Sequence, residues 1–208
     1  MARPRFSNLD RETRHRILET AAVEFAKRGF EGVSLNQLID QVGMSKGSFY
    51  YYFDDKEDLF TTVVDFAWQV VLSVEDFDLA AYDSDTFWPG LQSLMRQARA
   101  RVRENPWLVG FTRLMYDPPE SLSVRQALAQ KFDEAREWQA GLIRHGQELG
   151  TVRADLPAEL LQVLLIGADE AGDRWFVQNW DHLDEDELER LFEEVFAIFR
   201  RMLEPPLA

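Results

Sequence analysis

Cysteine is absent from this sequence of 208 residues, and histidine occurs only three times. A chain without thiols has no disulfide framework, no thiolate zinc site and no cysteine nucleophile, and it suits a reducing compartment. The histidines, His15, His145 and His182, include no pair at the spacing of metal ligands. We therefore expect no metal site, no catalytic residues and no cofactor, in a cytoplasmic protein.

Long hydrophobic runs are also missing. No stretch of about 18 uncharged apolar residues occurs, so we expect no membrane-spanning helix and no membrane partner. The opening sequence MARPRFSNLDRET contains basic residues with no apolar region behind them, which is not the pattern of a secretory signal. Runs of alternating β-branched residues do not occur either, and the sequence therefore predicts an all-α fold.

Basic residues are scarce, because 23 Lys and Arg stand against 37 Asp and Glu, and the net charge is −14. Taken alone, this balance argues against nucleic acid, since neutralising phosphates requires Lys and Arg. The distribution of charge is more informative. The first 16 residues contain five arginines against two acidic residues, whereas positions 61–208 contain 14 basic and 27 acidic residues. This pattern is compatible with a basic DNA-binding head on an acidic body that the duplex repels.

Apolar residues recur at helical spacing along most of the chain. Gly29 is placed to end the first helix and Gly43 the second. Ser34 and Ser45 are placed to cap the two short helices that follow them. The later predicted helices are Lys56–Ser73, Thr86–Glu104, Pro106–Tyr116, Glu120–Leu149, Pro157–Asn179 and Asp184–Leu203, with an acidic loop at Val74–Asp85.

Two short helices joined by the Gly-Met pair at positions 43–44 form the pattern of a helix-turn-helix. The second of them reads SKGSFYYYF over Ser45–Phe53. Lys46 and Ser48 lie near its N-terminus, the end from which a recognition helix contacts bases. Gly47 allows the backbone to approach the groove closely. This composition suits a DNA major groove.

Aromatic residues fill the rest of that helix. Tyr50, Tyr51 and Tyr52 offer hydroxyls to phosphates and flat rings to sugars or thymine methyls. Phe49 and Phe53 are four residues apart, so we expect both to face the core of the head.

This region resembles the tetracycline-repressor (TetR) family of bacterial regulators. The patterned positions read ILxxAxxxFxxxGF over Ile17–Phe30 and SLxxLIxxVGMSKGSFYxxFxxKExLF over Ser34–Phe60. A weaker echo of the family, GxVRxDL, covers Gly150–Leu156. The resemblance implies an all-helical, Ω-shaped homodimer. It would comprise a helix-turn-helix DNA-binding domain with a basic arm at 1–57 and a ligand-binding and dimerisation domain at 58–208.

The resemblance also implies which positions contact DNA. The matching residues are Ser34, Asn36, Gln37, Ser45, Lys46, Gly47, Ser48, Tyr50, Tyr51, Tyr52 and Lys56. Many family members carry a basic or His residue where this chain has its second and third tyrosines, so the operator sequence does not follow. Alternatives remain open: packing of a tyrosine between head and body, and a merely solvated Lys46. Arg3 and Arg5 form either a functionless tail or an arm that reaches the minor groove.

By the same resemblance, the last two helices form the dimer interface. Both carry apolar faces, and small residues on the first of them permit close helix approach. The expected interface residues are Leu161, Leu164, Ala168, Ala171, Trp175, Leu188, Leu191, Phe192, Val195, Phe196 and Phe199. The alternative is that these faces are ordinary monomer core.

A ligand pocket is expected in the body. Asp169 and Asp173 are four residues apart among apolar neighbours, where an unpaired carboxylate is costly to bury. We predict that one or both line the pocket or its mouth and favour cationic or hydrogen-bond-donating ligands. The alternatives are a solvated stripe or an ion pair across the interface. The other expected lining residues are Trp68, Trp88, Trp107, Phe111, Met115, Trp138 and Phe176, each with core packing as its alternative.

The sequence therefore predicts a homodimeric repressor of a palindromic double-stranded DNA operator, released by a small-molecule effector, with the helix Lys56–Ser73 coupling the two sites. Neither the effector, the operator, the regulated genes nor the sense of regulation follows from fold analogy. One alternative is a helical dimeric interaction protein without DNA binding. Another is a helical-bundle enzyme, whose di-metal site requires Glu-x-x-His pairs on two helices. Neither His145 nor His182 has a Glu three residues before it.

Overall fold

The computed structural model describes residues 2–72 and 78–206, which form α-helices and short 3-10 helices and contain no strand. The all-α prediction is confirmed. No helix within these ranges is both long and apolar enough to cross a membrane. The helices are α1 (Arg11–Gly32), α2 (Leu35–Gln41), α3 (Lys46–Tyr52), α4 (Lys56–Leu72), α5 (Phe87–Glu104), α6 (Trp107–Tyr116), α7 (Leu122–Glu148), α8 (Ala158–Asn179) and α9 (Glu185–Leu203), and the 3-10 helices are Pro4–Asn8, Leu79–Ala81 and Trp180–His182.

Helix ends follow the predicted signals closely. Gly29 and Gly43 adopt positive φ of 69° and 72°, the left-handed conformation that glycine tolerates at a helix end. One further turn after Gly29 continues α1 beyond the kink. The Ser45 hydroxyl accepts the Ser48 backbone N–H at 3.0 Å, whereas Ser34 occupies the N-cap position of α2 without a side-chain capping bond. The predicted end of the fourth helix at Ser73 lies outside the described residues, as does the start of the predicted loop at Val74.

The chain forms two compact units. The first comprises Met1–Ser73 and Arg101–Lys131, and the second comprises Val74–Ala100 and Phe132–Ala208. The first unit thus contains the whole predicted head together with α4, α6 and the start of α7. The boundary between domains at residues 57 and 58 stays a prediction.

Aromatic rings hold the first unit together. Phe60 of α4 lies edge-on to Phe25 and Phe30 of α1, with ring centroids 4.9 and 5.2 Å apart, and 5.6 Å from Phe111 of α6. All four rings are buried, and aromatic pairs at such distances add to the free energy gained by burial. The core of the head is therefore continuous with the packing of α4 and α6.

The second unit has its own apolar core between α5, α8, α9 and the later turns of α7. Its central residues include Phe87, Ile143 and Leu161. A polar cluster joins α5 to α9 at the edge of this core. The Glu193 carboxylate accepts hydrogen bonds from Gln92, at 2.6 Å, and Arg99, at 2.7 Å. Since these donors satisfy a half-buried carboxylate, the cluster fixes how α5 and α9 pack.

Gly146 of α7 provides a test of this packing. A Cβ at this position would lie 2.3 Å from Val152 Cγ2 and 2.8 Å from Phe87 Cζ. We expect Gly146→Ala to lower the free energy of unfolding by about 1–3 kcal/mol, as overpacking typically does. Thermal unfolding followed by circular dichroism measures the change.

Gly172→Ala is the matched control, because its added Cβ would meet no described atom within 4 Å apart from its chain neighbours and the backbone of its own helix. Alanine favours a helix interior over glycine, so this variant should unfold at the same or a higher temperature. Equal melting temperatures for the Gly146→Ala variant and the wild type would contradict the close packing of Phe87 and Val152 on Gly146.

Candidate DNA interface and effector site

The helix α3 has seven residues and is held from the protein side by two rings. Phe49 and Phe53 are both fully buried, as their spacing predicted, and their centroids lie 5.3 Å apart. The Ser45 cap fixes the start of the helix. These contacts leave the opposite face of α3 open.

Exposed side chains on that face are those expected to contact DNA. Tyr50 and Tyr51 are 50% and 48% exposed, and Lys46 is also exposed. The nearest atom to a Cβ built at Gly47 is Ser45 Oγ, 3.8 Å away. Packing within the protein would therefore permit a side chain at Gly47, and its contact with DNA stays a prediction.

The predicted contacts on α2 lie on the surface as well. Ser34, Asn36 and Gln37 are exposed. Gln37 accepts a hydrogen bond from Arg28 at 3.1 Å, and Arg28 also pairs with Glu24. The structure therefore brings a guanidinium beside α2 that sequence analysis did not include.

Two of the predicted DNA-contacting residues face the protein instead. The Lys56 ammonium donates to the carbonyls of Phe30, at 2.8 Å, and Val33, at 3.1 Å, and lies 4.4 Å from the centroid of the Phe30 ring. Tyr52 is half-buried, 5.9 Å from Phe6. Whether Lys56 and Tyr52 also contact DNA stays a prediction. The hydrogen bonds of Lys56 connect α4 to the end of α1.

The N-terminal segment forms the 3-10 helix Pro4–Asn8 and packs on α3, an arrangement that neither sequence alternative included. Phe6 is only 4% exposed and lies 4.9 Å from Phe53. The Arg3 backbone N–H donates to the Tyr52 carbonyl at 2.8 Å. The signal for this packing was a single phenylalanine in an otherwise polar stretch.

An uncovered apolar face runs along α8 in the second unit. Val163 is 67% and Trp175 46% exposed, and Leu160 and Leu164 are also exposed. Gly167, Ala168 and Ala171 are exposed small residues of the same helix. Ile198 of α9 adds a further exposed apolar side chain. Sequence analysis missed Leu160, Val163 and Ile198, although their spacing continued the apolar stripe.

The other expected interface residues lie deeper. Leu161 is fully buried in the core of the second unit, and Phe192 stacks on Phe176 with centroids 4.2 Å apart. The half-buried members are Leu188, Leu191, Phe192, Val195, Phe196 and Phe199. Some of the expected interface residues are therefore buried within their own chain. Those that stay exposed lie mainly on α8.

The expected pocket residues are divided between the two units. The first contains Trp68, Trp107, Phe111 and Met115, and the second contains Trp88, Trp138, Asp169, Asp173 and Phe176. Their assembly into one pocket stays a prediction.

Trp107 of α6 has an unusual environment within the first unit. Its ring stacks on Phe66 with centroids 5.8 Å apart, and its indole N–H is buried without a hydrogen-bond partner among the described residues. Leaving a buried donor unpaired costs about 1–3 kcal/mol, and a bound water, an ion or a ligand can supply the acceptor.

Asp169 of α8 has a strongly perturbed carboxyl group. Burial raises its pKa to about 7, and the nearby charges of Asp173 and Glu170 act in the same direction. Asp173 itself is exposed. Glu170 lies 3.8 Å from Arg136 of α7. Within the described ranges, no group of three or more acidic or histidine side chains is arranged to hold a metal ion.

Comparison with known proteins identifies the head. Residues 17–63 match the family model "Bacterial regulatory proteins, tetR family". Residues 17–63 are thus a TetR-family DNA-binding head. The chain is a helix-turn-helix transcriptional regulator, and α3 is its recognition helix. The HTH-type transcriptional repressor AcnR of Corynebacterium diphtheriae is 27% identical over 155 residues, which cover 73% of this chain and 74% of AcnR.

Solved TetR-family structures share the fold. A regulator from Mesorhizobium loti superposes with a TM-score of 0.69 at 23% identity, over 94% of this chain and 100% of that one. The regulator FadR of Bacillus subtilis, solved in complex with stearoyl-CoA, gives a TM-score of 0.67 at 17% identity, over 88% of this chain and 96% of that one.

Lys46 and Lys56 of this TetR-family head are expected to differ in what they stabilise. Lys56→Ala removes two hydrogen bonds that the charged ammonium donates to the Phe30 and Val33 carbonyls. It should therefore lower the free energy of unfolding by about 1.5–3 kcal/mol. Lys46→Ala changes an exposed residue and should leave stability within about 0.5 kcal/mol. Urea unfolding of both variants measures this, and equal stabilities would refute the role given to Lys56.

Proposed function

We propose that this regulator is a homodimeric repressor that binds a palindromic operator and is released when a small molecule binds its body. The observation that carries this proposal is the uncovered apolar face of α8 in a chain whose recognition helix is exposed. Soluble monomers seldom leave an aligned row of large apolar side chains in water, and such a face marks an interface.

The occupant that fits this face is a second copy of the chain. Gly167, Ala168 and Ala171 leave no bulk along the middle of α8, so another helix can approach it closely. The exposed apolar residues lie on both sides of this small-residue stretch. Most soluble oligomers are symmetric dimers in which the same patch meets itself, and this arrangement pairs α8 with α8.

A two-fold dimer accounts for a palindromic operator. Each head places α3 in a major groove, and the half-sites lie one helical turn, about 34–36 Å, apart. Lys46, Tyr50 and Tyr51 are the exposed residues for that contact. Repression follows because a bound dimer blocks polymerase.

Two polar groups in unusual surroundings support an effector site: a buried N–H without a partner among the described residues, and a buried carboxyl group with a raised pKa. Each unit has its own candidate for such a site. In the first unit Trp107 offers a buried N–H to an acceptor, and in the second Asp169 offers a carboxyl group whose charge a cationic or donor ligand stabilises. FadR of the same fold holds stearoyl-CoA, so this fold has room for a small molecule. Alanine at Asp169 or Asp173 should weaken binding of the effector.

Close contacts inside the first unit provide a route from effector to DNA. A Cβ at Gly110 of α6 would lie 3.0 Å from Ala26 Cβ and 3.1 Å from the Ala26 carbonyl oxygen. A shift of α6 therefore displaces α1. Glu57 in the first turn of α4 accepts a hydrogen bond from Ser123 of α7. The neighbouring Lys56 donates a hydrogen bond to the Phe30 carbonyl at the end of α1. A ligand that favours one arrangement of these helices shifts the population of DNA-competent heads.

Selection of bound duplexes from a random library by the full-length chain tests the function. A palindromic consensus is the expected result, with an affinity that falls as salt rises. Enrichment of no sequence, with weak binding indifferent to salt, would favour the alternative of an interaction protein without DNA binding.

The dimer proposal predicts that Val163→Glu produces monomers. Val163 is among the most exposed apolar residues of α8, so a charge there leaves the monomer folded but is buried unpaired in a dimer. Sedimentation equilibrium should give half the wild-type mass, and affinity for the selected duplex should fall by about tenfold or more. Ala154→Glu, in an exposed turn of the same unit, is the control and should remain dimeric. A dimeric Val163→Glu variant would place the interface elsewhere.

The raised pKa of Asp169 predicts a pH dependence of stability. Between about pH 4 and pH 7 the folded state binds more protons at Asp169 than the unfolded state does, so stability falls as pH rises through this window. We expect Asp169→Asn to melt several degrees above the wild type at pH 8, and the difference to shrink at pH 5. Asp155→Asn is the control, because the hydrogen bond from Arg153 lowers the pKa of Asp155 and no stabilisation at pH 8 should follow. A pH-independent Asp169→Asn difference would contradict this assignment.

A further inference from the structure

The N-terminal segment 2–8 is fastened to the recognition helix by more contacts than a disordered tail would make. The Ala2 backbone N–H donates to Thr62 Oγ1 at 2.9 Å, and the Arg3 backbone N–H donates to the Tyr52 carbonyl at 2.8 Å. Phe6 is buried against Tyr52 and Phe53. The segment therefore has one defined position on α3.

The guanidinium N–H groups of Arg3 donate hydrogen bonds within the protein. Its Nη1 donates to the Tyr50 carbonyl at 2.9 Å, and its Nε donates to Asp54 Oδ1 at 3.1 Å. Tyr50 and Tyr52 are in the last turn of α3, whose carbonyls have no partner within the helix and are satisfied by such donors. Since Asp54 also neutralises its charge, Arg3 has little left to offer a phosphate.

Arg5 is different. Its guanidinium carbon lies 4.7 Å from the centroid of the exposed Tyr51 ring. Arg5 is exposed, and no carboxylate among residues 2–72 and 78–206 pairs with it. A guanidinium over an aromatic ring keeps its charge and its N–H donors, and its planar fork suits a phosphate.

From these contacts we propose that residues 2–8 belong to the DNA-binding surface: Arg3 ties the segment to α3, and Arg5, held over Tyr51, binds a backbone phosphate of double-stranded DNA beside the recognition helix. Phosphate contacts fix the register of a protein on the duplex without reading sequence. Arg5 and Tyr51 then act as one unit, and Arg3 is a positioning residue.

The experiment titrates salt against binding of the full-length chain to the duplex that the wild type selects. Neutralising one phosphate contributes about 0.9 to the slope of log affinity against log salt concentration. For a dimer with two heads, Arg5→Ala should make the slope shallower by about 1.8 and raise Kd at about 0.1 M salt by on the order of tenfold. Arg5→Lys should keep most of the slope, because the charge remains.

Two controls separate this proposal from DNA binding itself. Arg144→Ala removes the same charge from an exposed position of α7 in the second unit and should change neither slope nor Kd. Lys46→Ala should weaken binding whether or not the segment takes part. An unchanged slope and Kd for Arg5→Ala, with a weakened Lys46→Ala variant, would overturn the proposal alone. If neither Arg5→Ala nor Lys46→Ala weakens binding, DNA binding by α3 is overturned together with the proposal.

A double-mutant cycle tests the role of Arg3. Arg3→Ala should weaken binding because it loosens the end of the segment, and adding Arg5→Ala to that variant should cost less than Arg5→Ala costs in the wild type, since Arg3 acts through the position of Arg5. Losses that multiply would show that Arg3 does not position Arg5. A loss limited to duplexes with A·T-rich flanks, at an unchanged slope, would indicate minor-groove reading and overturn the phosphate assignment.

Discussion

A helix of seven residues does not persist alone in water, because nucleation is unfavourable and isolated helices shorter than about 12 residues are marginal. The recognition helix α3 has that length, and the first unit is organised around holding it. The Ser45 hydroxyl closes its start, and the rings of Phe49 and Phe53 bury its inner face. Arg3 satisfies carbonyls in its last turn. Each support acts from a different direction, so the exposed face is rigid before any ligand arrives.

This support extends beyond the head. Phe60 of α4 is in contact with both Phe25 and Phe30 of α1, and Lys56 binds the carbonyls that follow Gly29. Gly110 of α6 packs so closely on Ala26 that an added Cβ would lie 3.0 Å from Ala26 Cβ. Cores packed this closely transmit displacement because side chains have nowhere to relax. The same contacts that stabilise the head therefore make its position sensitive to α4 and α6.

The local signals of the helix-turn-helix could be predicted from sequence, since they depend on neighbours along the chain. Gly29 and Gly43 end helices through positive φ, Ser45 caps α3, and the spacing of Phe49 and Phe53 sets which side is buried. The direction of a long polar side chain could not be predicted. Lys56 has the charge for a phosphate, yet its ammonium reaches two carbonyls that only the tertiary fold brings near.

The body was harder to predict for a related reason. Helical spacing shows that α8 has apolar residues around more than half its surface, but it does not say which of them meet the same chain. Leu161 lies in the core and Val163, two positions later, is exposed. The pocket residues depend on the packing of several helices, and the buried indole N–H of Trp107 has no counterpart in any local pattern.

The exposed face of α8 makes operator occupancy depend steeply on the cellular concentration of this protein. Where two copies must pair through Val163 and Trp175 before they bind DNA, the concentration of dimers rises with the square of the total chain concentration while most chains are single. Occupancy of the operator is then close to nil at low expression and increases steeply near a threshold. A cell that alters the amount of this protein twofold alters the bound fraction by up to fourfold, without any small molecule.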